Sequence, residues 1–269
     1  MNKYPINLLF LLPLIYSCSS SHNIQFPARS SSTPGSVFYS NAATYTWMQR
    51  DSAVLEAFYQ GNIPSFLKKF VPIQTSIIDS ATGKTIKATY YVSPDYFSIG
   101  TSDDWARVCI TPMAAQKIAD SLNCFLSTPK IADDIYKSAS VKLEPVPMYA
   151  FRDSTPTMWH HHLIIEGQRR QRKGLIAGIK KDVVLSEKVT SHSRPDRVAI
   201  YGWHKPDGLP IQPVYAGHVN WYVDYSHGIR LVYSYIKVDG KRMHYTEVLA
   251  DPVLKRLICN EEHCTFYRY

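Results

Sequence analysis

The sequence predicts an α+β fold, a single domain whose second half carries a mixed or mainly antiparallel sheet with helices packed on it. Three observations predict it. Helix signatures cluster in the first half and the middle of the chain. Strand signatures joined by short turns cluster after Ile179. No internal repeat, Gly-rich phosphate loop or second linker divides the 269 residues. Hydrophobic residues at 45% and charged residues at 19% suit a chain that buries a core.

The elements follow in order. "RDSAVLEAFYQGN" is a short amphipathic helix, capped at Asp51 or Ser52 and stopped at Gly61. "QTSIIDSATGKTIKATYYVS" alternates around Asp79–Gly83 and predicts a hairpin. "YFSIG" and "WARVCI" continue the strand pattern. Thr111-Pro112 and Thr128-Pro129 each open a helix, the threonine as cap and the proline at the first position. Thr155-Pro156 repeats that start. "VKLEPVPMYAF" is extended, and its prolines keep it near an edge. From Ile179, "IKKDVVLSEKV", "DRVAIYGWH", "PVYAGHVNWYVDYS", "IRLVYSYIKV" and "KRMHYTEV" read as strands, with Asp239-Gly240 as a hairpin turn. A last helix, "DPVLKRLIC", starts at Asp251-Pro252.

The N-terminus sets the compartment. Lys3 precedes an apolar run from Ile6 to Tyr16 that is too short to span a membrane, which is the pattern of an export signal over residues 1–17. The end of that run, Leu14-Ile15-Tyr16-Ser17-Cys18, resembles the lipobox of bacterial lipoproteins. The resemblance implies cleavage before Cys18, lipidation of its thiol, and anchoring to a membrane at the periplasmic or cell-surface side. Residues 18–39 are Ser-rich and read as a tether with too little apolar surface to fold, so the domain is expected over residues 40–269. Export permits disulfides, and Cys259 and Cys264 in "CNEEHC" are close enough to form one. Cys109 and Cys124 flank a helix about 18 Å long, whereas a disulfide needs Cα atoms within about 7 Å. Cys109 is therefore expected as a free thiol or a core residue.

The net charge is +8, concentrated in part in "GQRRQRKGLIAGIKK". Such a patch attracts polyanions. Outside the cytoplasm nucleic acid is a poor partner, and anionic glycan, cell-wall polymer or lipid headgroups take its place.

The stretch richest in reactive groups is "HVNWYVDYSHGIRLV", His218 to Val232. Read as a strand, it puts His218, Asn220, Tyr222 and Asp224 on one polar face and Val219, Trp221, Val223 and Tyr225 on an apolar one. His218 and Asp224 would then lie roughly 20 Å apart. Ser226-His227-Gly228 reads as a turn, with Gly228 free to adopt positive φ. Histidine is the usual proton carrier near neutral pH, and a carboxylate orients it. The expected arrangement is His227 as general acid or base and Asp224 as its orienter. Ser226 stands beside them, and His218 and His204 serve as substrate or oxyanion donors. Trp203, Trp221, Tyr222, Lys180, Lys181 and Arg230 are the expected substrate contacts, because aromatic rings stack on sugar faces and cations hold anions.

This reading makes the protein a lipid-anchored cell-envelope hydrolase of a glycan or glycopeptide. A non-catalytic glycan- or peptidoglycan-binding lipoprotein is the alternative. A second alternative rests on Cys109 before a helix and His218 at the head of "GHVNWYV", an order that resembles NlpC/P60 and papain-like hydrolases. The resemblance implies Cys109 as nucleophile and His218 as base. No cofactor is expected. Zinc remains an alternative through His162 and Glu166, which share a helix face, or through His204, His218 and His227 at strand ends.

Overall fold

The computed structural model describes residues 21–269. The export signal and Cys18 lie outside the described residues. The chain opens with β1 (His22–Asn23), α1 (Gly35–Asn41) and α2 (Trp47–Tyr59). The domain therefore begins earlier than composition suggested. β1 pairs with residues 69–70, the His22 ring lies 4.4 Å from that of Tyr233, and Ile24 and Phe26 are buried. The serines of this segment hid two core anchors. α2 starts at Thr46 rather than Asp51, because Thr46 and Gln49 form a reciprocal capping box. Asp51 lies inside the helix and accepts hydrogen bonds from the backbone and hydroxyl of Thr111.

The predicted hairpin is β2 (Lys69–Ile78) and β3 (Thr85–Val92), with Gly83 at φ +70° in the turn. β4 (Ser98–Gly100) and β5 (Trp105–Arg107) pair as a second, smaller ribbon. α3 (Pro112–Ser121) and α4 (Pro129–Ser138) begin where Thr-Pro placed them, with β6 (Cys124–Leu126) between. Each threonine hydroxyl accepts an orphan N–H of the first turn. After β7 (Val141–Lys142), α5 (Thr155–Arg169) takes its cap one residue earlier than expected. Ser154 accepts from Thr157, and Pro156 sits second. β8 (Ile176–Ala177) runs parallel to β7.

The remaining strands are β9 (Lys181–Val184), β10 (Arg197–His204), β11 (Pro210–Val219), β12 (His227–Gly228), β13 (Leu231–Tyr233), β14 (Tyr235–Val238) and β15 (Lys241–His244). The last helix is α6 (Tyr245–Ala250). Asp251 ends it instead of starting one, and the next turn is a short 3-10 segment. The fold is α+β, but the strands divide between two main sheets. One is seven-stranded, in the order β1-β2-β3-β13-β6 with β14 and β15 attached at β3, and it draws on both halves of the chain. The other is four-stranded, β11-β10-β9-β12, antiparallel except for the parallel pair β9–β12. One hydrophobic core runs through both, including Ile73, Phe125, Val183, Ile200 and Ile236. Cys259 and Cys264 are bonded, and Cys109 and Cys124 are free and buried. Among the described residues, no helix is long and apolar enough to cross a membrane.

Candidate functional site

The opening question is where β11 stops. It ends at Val219, not at Asp224. Tyr222 N–H bonds to the Val219 carbonyl at 3.0 Å, and His227 N–H to the Asp224 carbonyl at 3.1 Å, so the chain folds back in two tight turns. Asp224 makes the second one. Its Oδ1 accepts from the Ser226 backbone at 2.8 Å and the Ser226 hydroxyl at 2.5 Å, an Asx turn. The turns cancel the separation expected of a straight strand. The His218 ring centroid lies 4.6 Å from Tyr222 and 5.9 Å from His227.

Gly228 follows, and it is not a positive-φ residue. It extends β12 beside β9 because no larger residue fits there. A Cβ would lie 2.4 Å from the Tyr96 ring and 2.8 Å from the Lys180 Cβ.

These turns wall a hollow of about 270 Å³ lined by Arg152, Lys181, Gln212, Tyr215, His218, Tyr222 and Asp224. Arg152 comes from the loop before α5 and Lys181 from β9. β11 supplies Gln212, Tyr215 and His218. A register shift in β11 against β10 brings Tyr215 to His218, centroids 5.1 Å apart, although simple alternation puts an odd and an even position on opposite faces.

Electrostatics follow from burial. Asp224 is buried, which alone would raise its pKa. The neighbouring His227, the two Ser226 bonds and Lys181 outweigh that and hold it down at about 2. Arg152 Nη2 donates to its Oδ2 at 3.0 Å. Burial lowers His227 to about 4, against the pull of Asp224, with His218 and the two lysines adding to the decrease. Burial also lowers His218, again partly offset by Asp224. Burial and Asp224 push Tyr222 up to about 12, so its hydroxyl keeps its proton. At neutral pH the hollow thus joins two cations, one carboxylate, a neutral imidazole and a phenol.

The structure redistributes the expected roles. His218 reaches the hollow, but His227 is only 1% exposed and does not line it. Neither of its ring nitrogens has a hydrogen-bond partner, and Nε2 stands 3.8 Å from Asp224 Oδ1, beyond a hydrogen bond. Ser226 is fully buried, its hydroxyl committed to Asp224. Lys181 and Tyr222 line the hollow as expected. Lys180 points the other way, where its ammonium donates to the Tyr225 carbonyl and to Cys109 Sγ at 3.4 Å. Arg230 is a core residue that lies over the Tyr96 ring and donates to the Ser93 and Ile176 carbonyls. Trp203 is buried behind Lys181, whose Nζ sits 5.1 Å from the ring centroid. Trp221 is exposed on the turn and does not line the hollow. His204 bonds to Asp133, away from this hollow.

Cys109 does not meet His218. It is 1% exposed, two residues ahead of the α3 cap, and its polar neighbours are Lys180 and the Tyr225 carbonyl. The papain-like pairing therefore lacks its base. Beside it, the buried His161 packs on Tyr225 with centroids 4.9 Å apart, both ring nitrogens without a partner. His162 and Glu166 are organised around Arg107. Glu166 pairs with it at 2.9 Å, and His162 Nδ1 faces its backbone N–H at 3.4 Å. Among the described residues, no group of three or more His, Cys, Asp or Glu could hold a metal ion.

Sequence reasoning missed Arg152, Gln212 and Tyr215. Arg152 had no local signal. The other two belong to a strand whose irregular register the alternation rule does not foresee. Comparison with family models, with curated proteins and with solved structures found no match.

Proposed function

We propose that the protein is a lipid-anchored cell-envelope hydrolase acting on an anionic glycan or glycopeptide, with His218 as its proton-transfer group. The observation that carries this reading is the company His218 keeps in one hollow. A neutral imidazole stands beside the cations Arg152 and Lys181 and the protonated phenol of Tyr222. A base that is unprotonated at neutral pH can take a proton from water, and the imidazolium can return it to the leaving group. Arg152 and Lys181 would hold a carboxylate or phosphate of the substrate next to it. Tyr222 would donate to the oxygen on which charge develops.

The bond class follows from the carboxylates. Glycosidases pair two of them across the scissile bond. Here the hollow has only Asp224, already engaged by Arg152 and Ser226. An ester or amide carried by the glycan or glycopeptide fits this set of groups better than the glycosidic bond itself. Asp224 acts as a positioning residue, fixing Arg152 and the turn that aims Tyr222.

The test is a screen of purified protein against acylated envelope polysaccharides and peptidoglycan, reading released acid, amine or soluble fragments. His218→Ala should lower kcat by about 10²–10⁴-fold with an unchanged melting temperature, because the side chain is half-exposed. Turnover that survives in His218→Ala would remove His218 from the mechanism. Wild-type protein that binds such polymers but never cleaves them would replace the hydrolase by a binding lipoprotein.

A further inference from the structure

A second hollow, of about 420 Å³, opens beside the other edge of the same β9–β10 pair and is lined in part by Asp133, Tyr136, Tyr201, His204 and Lys142. A backbone defect creates it. Gly202 lies at φ +101° and Trp203 at φ +57°, the second a rare conformation for a bulky side chain. Strain of this sort costs about 1–3 kcal/mol and persists only where surrounding structure imposes it. The pairing of β10 with β11 shifts register at this point.

The shift changes where the side chains go. Tyr201 and His204 are an odd and an even position, yet both reach Asp133 Oδ1. The Tyr201 hydroxyl donates to it at 2.8 Å, and His204 Nε2 lies 2.8 Å away. Trp203, between them, turns to the opposite side and packs under Lys181. His204 is stacked on Tyr136 at 4.6 Å with planes 16° apart, and the Tyr136 hydroxyl holds the Lys205 carbonyl at 2.6 Å. The loop from Lys205 to Leu209 is closed by its own backbone bonds, so the rim is pinned too.

What this leaves is specific. Oδ1 of Asp133 is taken twice, whereas Oδ2 makes no hydrogen bond among the described residues, and the side chain is 26% exposed. A preorganised carboxylate oxygen thus faces a hollow with flat aromatic walls, two prolines and two lysines at its mouth. Flat rings stack on the C–H face of a sugar. A carboxylate accepts from adjacent ring hydroxyls, and ammonium groups donate to others.

We propose that this hollow is a carbohydrate-binding site for a pyranose unit, held by Asp133 Oδ2 and stacked between Tyr201 and Tyr136. It is separate from the His218 hollow and does not depend on that hollow being hydrolytic.

The test is titration calorimetry of the purified protein with the tetramers of N-acetylglucosamine and of glucose. Histidine ring resonances are followed in parallel, with His204 assigned through His204→Gln. At least one tetramer should bind in the millimolar range and shift the His204 resonance. Asp133→Asn should weaken binding by about tenfold. Tyr201→Phe, which keeps the core packing, should weaken it by a smaller factor, and His218→Ala should leave it unchanged. Three results would overturn the proposal: no binding of either tetramer by the wild type, equal binding by Asp133→Asn and Tyr201→Phe, or loss of binding in His218→Ala.

Discussion

Replacing His227 by glutamine should flatten the acid limb of the stability curve. The wild-type imidazole is enclosed, with no partner for either nitrogen. Burial holds its folded-state pKa at about 4, against an ordinary 6.5. A histidine depressed on folding binds its proton more readily when unfolded. Its contribution is therefore fully present above pH 6.5 and is lost as pH falls toward 4. At 1.36 kcal/mol per pH unit the loss amounts to about 3 kcal/mol.

His161 and His162 are buried and lowered in the same way, so the total wild-type decline should be steeper still. Asp224, held near 2, loses its own contribution only below its ordinary 3.8, outside this window. The difference between wild type and His227→Gln therefore isolates one group, whatever constant offset the substitution adds. The assay is urea unfolding at half-unit steps from pH 7.5 to 4.5. The two curves of stability against pH should converge toward acid by about 2–3 kcal/mol. Parallel curves over that range would show that His227 is not the buried neutral group described, and the assignment of charges in the hollow would fail with it.

Two further outcomes follow. Gly228→Ala should destabilise by about 1–3 kcal/mol in the same unfolding assay, because its Cβ meets the Tyr96 ring and the Lys180 stem in packed surroundings; an unchanged midpoint would mean that β12 can move aside. Cys18→Ala should leave an exported protein that no longer partitions with membranes on fractionation, and undiminished membrane retention would remove the lipid-anchor reading.

What the sequence revealed was local. Thr111-Pro112 and Thr128-Pro129 announce helices because a cap needs only its own next three residues. The turns at Asp79–Gly83 and Asp239-Gly240 are legible for the same reason. The failures are matters of distance and parity. Ile24 and Phe26 sit in a polar segment whose composition averages them away. Asp224 ends the extended run by bonding Ser226, a choice that a period-two pattern cannot register. The two register shifts along β10–β11 move Tyr215 and His204 to sides opposite those that counting gives. The hollow itself gathers residues from positions 152 to 224, and nothing in any one stretch announces Arg152. Even so, His218, Tyr222, Asp224 and Lys181 were all legible as candidates, because polar groups on an otherwise apolar run stand out.

The first strand fixes how the domain stands relative to its support. His22 is already pinned between Tyr91 and Tyr233, and Asn23 pairs with Lys69. On the lipid-anchor reading, four residue steps connect Cys18 to that fixed point, a leash of at most about 14 Å. A protein on so short a leash cannot sweep the space above the bilayer. It grazes, with the exposed Lys69 brought down among the headgroups, and works on polymer that passes close to the membrane.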